Sequence, residues 1–137
     1  MVIIKKTHNS FSLKQRHCNH TLKFGRVGFK VLSFSKITEN QFNLIKRLSL
    51  KILKTSSSNK KITKIWFLNS FNLTLTRLSS ESRMGKGKGA IFSKALFLRP
   101  GSILFEFEGV SEQQLAKIQT LLRNKTSFKT AQVRSPY

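Results

Sequence analysis

Residues 95–107 read Ala95-Leu96-Phe97-Leu98-Arg99-Pro100-Gly101-Ser102-Ile103-Leu104-Phe105-Glu106-Phe107, two apolar runs joined through Pro-Gly. Pro presets φ for the second residue of a tight turn, and Gly supplies the left-handed residue after it. Ile103, Phe105 and Phe107 recur with period two, the spacing of a strand with one buried face. The pattern predicts a β-hairpin over 95–107. Directly after it, Val110-Ser111-Glu112-Gln113-Gln114-Leu115 opens a helix. Ser111 and Gln114 have the spacing of a capping box, in which each side chain satisfies the other residue's free amide, and Val110 and Leu115 that of a hydrophobic staple. Leu115, Ile118, Leu121 and Leu122 form its apolar face, and Arg123 and Lys125 sit where cations suit a helix C-terminus.

The same devices recur upstream. Thr38 and Gln41 form a second capping box, with Ile37 and Phe42 as its staple. Phe42, Ile45, Ser49 and Ile52, flanked by Leu48 and Leu53, follow at helical spacing, while Lys46, Arg47, Lys51 and Lys54 fall largely off that stripe. Leu22 to Val31 alternates apolar with small or basic residues and reads as a strand; Ile62 to Leu68 and Phe71 to Leu75 are further strand candidates. Each helix is apolar on one side and needs a sheet to cover. The expected fold is therefore α+β, an antiparallel or mixed sheet with two helices packed on one face. Residues 22–137 form its single domain, preceded by a basic N-terminal arm at 1–21 and interrupted by a flexible glycine/lysine loop at 79–90. Ser56-Ser57-Ser58-Asn59-Lys60-Lys61 reads as a second loop.

Charge indicates the partner. The 137 residues carry 26 Lys and Arg against five Asp and Glu, a formal +21. Such a surface repels itself unless an anion neutralises it, which points to nucleic acid. With 39% apolar residues and 12 Phe the chain is too hydrophobic for a disordered basic tail. Residues 1–80 hold sixteen cations against Glu39 alone, so the first half is the stronger phosphate-binding candidate. The apolar runs fall far short of the roughly 18 residues of a membrane-spanning helix, and the N-terminus lacks the long apolar segment of a signal peptide. A single cysteine, Cys18, cannot form an internal disulfide.

Arg83-Met84-Gly85-Lys86-Gly87-Lys88-Gly89 is the most unusual segment. Glycine at alternate positions allows positive φ and close backbone approach, and the lysines between are compact charges suited to phosphate oxygens. The segment lacks the Walker A spacing and the strand-to-helix setting of a dinucleotide-binding turn. His17-Cys18-Asn19-His20 crowds its potential ligands into four residues without a second pair, so no zinc site is expected. Glu106 and Glu108 share one strand face and read as an acidic edge that balances part of the basic field. No nucleophile, base and orienter can be assembled, and no catalytic residue, metal or cofactor is expected. Most Phe residues should be core. Phe24 and Phe29, interleaved with Lys23, Arg26 and Lys30, are also candidates for stacking on bases.

These residues together resemble the universal large-subunit ribosomal protein L16 family. Arg83 to Gly89 stands there as Arg-Met-Gly-Lys-Gly-Lys-Gly. Phe24-Gly25 with Gly28, Ile37-Thr38 with Gln41, Lys46-Arg47, Trp66, Glu81, Arg99-Pro100-Gly101 and Leu104-Phe105-Glu106 with Gly109-Val110 follow in the family's order. The resemblance covers roughly residues 22–134. It implies an α+β sandwich with no catalytic step of its own, a monomer within the ribosome. Its partners would be large-subunit rRNA, A-site tRNA and neighbouring large-subunit proteins, with no membrane. Lys5, Lys6, Arg16, Lys23, Arg26, Lys46, Arg47 and Lys51 would grip rRNA. Arg83, Met84, Gly85, Lys86, Gly87, Lys88 and Gly89 would project toward the peptidyl-transferase region and A-site tRNA. In some bacterial members the arginine matching Arg83 is hydroxylated.

The chain departs from the family at 54–65, which looks like an insertion, at Ser70-Phe71-Asn72, and at Ile91-Phe92-Ser93-Lys94, where a Pro-Glu-Tyr-Trp stretch is usual. These departures favour a mitochondrial ribosome over a plastid one. The competing class is a free RNA-binding or RNA-processing factor. A helix-turn-helix DNA reader is disfavoured, since strands separate the two helices.

Overall fold

The computed structural model describes residues 5–6, 21–55, 63–85 and 87–136. Arg16, Lys86, the His17 to His20 segment and the Ser56 to Lys61 loop lie outside the described residues. The elements are β1 (Val27–Val31), β2 (Ser35–Thr38), α1 (Glu39–Thr55), β3 (Lys64–Phe67), β4 (Leu73–Arg77), β5 (Ala90–Leu98), β6 (Ile103–Glu108), α2 (Glu112–Lys125) and β7 (Thr130–Arg134). They make an α+β fold, with two sheets where the sequence suggested one. The first has the order β3-β6-β1-β7 and the second β2-β5-β4. These strands pair antiparallel in both sheets.

The hairpin expected over 95–107 does not form. β5 pairs with β2 and β4, whereas β6 pairs with β1 and β3, so the Pro-Gly turn carries the chain from one sheet to the other. Gly101 takes the expected left-handed φ of 89°. The turn is also held from outside, since the Gly101 amide donates to the Val31 carbonyl and the Val31 amide to that of Ser102, at 2.7 and 2.9 Å. Local turn chemistry was read correctly, but it does not specify which strand the next one joins. β6 is flanked on both sides, so Glu106 and Glu108 are not an acidic edge.

Both helices start where their caps predict. Thr38 and Gln41 exchange hydrogen bonds of 3.1 and 3.4 Å, and Ser111 and Gln114 exchange bonds of 3.0 and 3.4 Å. α1 buries Phe42, Ile45, Ser49 and Leu53, with Ile52 partly covered. α2 buries Gln114, Leu115, Ile118 and Leu122. The helices touch each other, and the Gln114 side-chain amide donates to the Leu53 carbonyl at 3.4 Å. Their apolar faces join Phe29, Val31, Phe105, Phe107, Ile37 and Leu98 in one core, so strands of both sheets supply its other side. Phe42 lies 5.3 Å and Phe67 5.2 Å from the Phe105 ring, centroid to centroid, distances typical of favourable aromatic pairs.

Leu22 to Val31 is a strand only from Val27 onward. Before it, the chain folds over the outer face of the first sheet, the side away from Phe105 and Phe107. There the Glu106 carboxylate accepts the backbone amides of Lys23, Phe24 and Gly25, the closest contacts being 3.1, 2.6 and 2.8 Å. Glu106 is fully buried, so these amides supply the hydrogen bonds that make its burial tolerable. A Cβ on Gly25 would lie 2.7 Å from the Phe107 carbonyl oxygen, which is why glycine occupies that point of closest approach.

Candidate nucleic-acid interface

Four groups of cations emerge from this frame. The first is on α1, where burial of Phe42, Ile45 and Ser49 turns Lys46, Arg47 and Lys51 outward, all exposed. Lys46 lies with its Nζ 4.8 Å from the centre of the Phe67 ring, a cation–π contact that steadies the long side chain over the domain. Lys51 shares a cleft of about 280 Å³ with Lys117 of α2. Lys117 was not singled out from the sequence. Its position off the Leu115, Ile118, Leu122 face was the available signal.

The second group is Lys23 and Arg26. Both are exposed, and they flank the Gly25 amide that Glu106 holds. Phe24 between them is 58% exposed and stacks on Trp66 at 6.1 Å. Phe29, the other stacking candidate, is fully buried against Phe107 and is unavailable to a base. The reason is parity: Phe29 pairs with Phe105 and faces the helices.

The third group is the glycine loop, which joins β4 to β5. Thr38 at the end of β2 pairs with Ala95, so residues 90–94 of β5 run on past β2, paired among the described strands with β4 alone. The loop therefore crowns a two-stranded ribbon. Arg83 is exposed and Met84 is 95% exposed. The glycines do different work. Gly85 and Gly87 have φ of 90° and 96°, and a Cβ on either would meet no described atom within 4 Å. They supply backbone conformations that side chains disfavour. A Cβ on Gly89 would fall 2.3 Å from the Arg77 carbonyl oxygen, so that glycine permits the closing contact at the loop's base. Close approach, expected along the whole alternation, is realised among the described residues at Gly89 and not at Gly85 or Gly87.

The fourth group, Lys5 and Lys6, is brought to that ribbon. The Lys5 carbonyl accepts from the Thr74 hydroxyl at 3.1 Å, and the Lys6 ammonium donates to the Lys88 carbonyl at 3.0 Å. No spacing rule in the sequence foretold this contact, because 82 residues separate its partners. The cations of α1 and those of the loop stand on separate elements. Among the described residues no group of three or more His, Cys, Asp or Glu could hold a metal ion, and no helix is long and apolar enough to cross a membrane.

A fold of this kind, with dispersed cations around a small aromatic core, suits a polyanion better than a small substrate. The sequence matches the family model described as ribosomal protein L16p/L10e over residues 2–133. The chain belongs to the ribosomal protein L16p/L10e family. Its likeness to the large ribosomal subunit protein uL16m of Chondrus crispus is 75% identity over 136 residues, 99% of each chain. With the large ribosomal subunit protein uL16 of Psychrobacter arcticus it shares 32% identity over 130 residues, 95% of this chain and 90% of the relative. The corresponding protein of Buchnera aphidicola is 31% identical over 113 residues, 82% and 79% of the two chains. The L16p/L10e match begins twenty residues before the resemblance read from the motifs, so it includes the N-terminal arm. The family is one of ribosomal structural proteins and assigns the chain no catalytic step.

Proposed function

We propose that this protein is a structural constituent of the large subunit of a mitochondrial ribosome, binding large-subunit rRNA beside A-site tRNA and the peptidyl-transferase region. The observation that carries this reading is near end-to-end likeness to a protein named uL16m, at 75% identity. The geometry supports it. Lys46, Arg47 and Lys51 offer exposed cations on a helix, and Lys23 and Arg26 on the segment that Glu106 ties to the first sheet; cations held in this way position a protein on a phosphate backbone. Arg83 and its neighbours stand at the tip of a ribbon, where a projection can reach a second RNA while the body stays fixed on the first. Lys5 and Lys6, with Arg16 and Lys86, complete the proposed RNA-facing set.

Gradient sedimentation of organelle lysates tests the proposal. The chain should travel with assembled large subunits through high-salt sucrose and be enriched with mitochondrial fractions. Recovery at the top of the gradient, with subunits sedimenting normally without it, would favour a free RNA-binding factor.

A further inference from the structure

Phe92 belongs to no group described above. Along the β4–β5 ladder Leu75 pairs with Ser93, but the next residue, Thr76, pairs with Ile91. One residue of β5 is skipped, and it is Phe92. Such a bulge breaks the alternation of the strand and re-aims the extra side chain. Here the ring is left 66% exposed, in a chain that fully buries Phe29, Phe105 and Phe107. The Arg77 guanidinium lies 5.6 Å from its ring centre. Ile91 and Leu78, 39% and 44% exposed, extend the apolar surface at the foot of the glycine loop.

We propose that Phe92 is a stacking platform for one unpaired RNA base, with Arg77 over the ring and the base against its exposed surface. The proposal rests on the RNA-binding reading and adds to it a site and a class of ligand, a single-stranded nucleotide. Charge complementarity selects the occupant. Arg77 and Arg83 border one cleft beneath the loop, with Glu81 the one carboxylate among its described lining residues. A nucleotide offers both a flat π-face for Phe92 and a phosphate for these cations. An apolar protein surface would satisfy the ring and leave the cations facing it without anions. Bases inside a duplex already have both faces covered, so the site discriminates single from double strands.

The test uses the full-length chain, a single-stranded RNA with a central 2-aminopurine, and the duplex of the same sequence. The parent protein should quench the fluorophore in the single strand. Phe92→Leu keeps an apolar side chain and should weaken single-strand binding roughly five- to a hundredfold, the usual range for one stacked base. Duplex binding should stay unchanged, and Phe92→Trp should restore the single-strand affinity. Equal single-strand affinity of Phe92→Leu and parent, or an equal loss on both RNAs, would overturn the platform. If the parent binds neither RNA, the RNA-binding reading falls first and the platform with it. In assembled subunits, a benzophenone side chain at position 92 should crosslink to RNA; an adduct with protein alone would overturn the assignment in favour of a protein contact.

Discussion

Glu106 shows how one side chain can be misread from its neighbours in sequence. Beside Glu108 on an alternating strand it looks like surface charge, yet it is fully buried and ties residues 23–25 to the sheet through their amides. Glu106→Leu strands the buried Gly25 amide and removes the part-buried bonds to Lys23 and Phe24, and should cost about 1–3 kcal/mol in urea unfolding, the range for leaving a buried donor unpaired. Exchange of the Lys23, Phe24 and Gly25 amides should accelerate in the same variant. The loop glycines separate similarly. Gly89→Ala must force apart the Gly89 and Arg77 backbones and should lower stability by roughly 1–3 kcal/mol, as overpacking does. Gly85→Ala and Gly87→Ala should leave the melting temperature near that of the parent while changing the shape of the loop, because no described atom lies within 4 Å of a Cβ at either position. Equal losses at all three positions in thermal melts would refute this division.

At the scale of elements, the helices were legible and the sheets only partly so. Capping boxes and apolar stripes lie within a few residues of one another, so the starts and buried faces of α1 and α2 could be read directly. β7 was missed because Thr130-Ala131-Gln132-Val133 is half-buried without alternation and Arg134 is exposed. β2 is only four residues long and merges into the first helix cap. Replacing Lys46, Arg47 and Lys51 together by Ala should preserve the helical signal, since Ala favours helix and all three side chains are exposed. A small loss of stability is expected from the Lys46–Phe67 contact, on the order of 0.5–1 kcal/mol. The log–log salt slope of RNA binding should shrink by up to about three, one for each lost phosphate contact, and incorporation into subunits should fall. An unchanged slope would remove α1 from the interface. For the loop, Ala at Arg83, Lys86 and Lys88 should permit incorporation but reduce A-site tRNA occupancy, measured on purified ribosomes per copy of the protein. Normal occupancy at full incorporation would reduce the loop to a solvated projection.

For the whole molecule, the +21 charge dominates behaviour outside its complex. Cations are distributed over both helices, the arm, the outer segment of the first sheet and the ribbon, and the exposed pair of Glu112 with Arg134 neutralises little of it. Like charges oppose compaction when no polyanion is present. Moderate salt should therefore raise the melting temperature of the isolated chain by screening that repulsion, while weakening its binding to RNA. Calorimetry across a salt series and filter binding over the same range should give trends of opposite sign. Parallel trends would show that charge governs only one of the two.

The sequence by itself determined the helix starts and their apolar faces, the turn at Pro100-Gly101, the cationic character and the family, because each rests on neighbouring residues or on composition. The glycine–lysine loop was visible for the same reason. Only the tertiary structure decided that the strands on either side of Pro100-Gly101 join different sheets, since turn geometry constrains four residues while strand pairing is chosen by the whole core. It also decided that Glu106 is a buried clamp, that Phe29 is core while Phe24 and Phe92 are exposed, and that Lys6 meets Lys88. Each outcome depends on which distant strand or segment lies alongside, and local spacing in the chain carries no term for that.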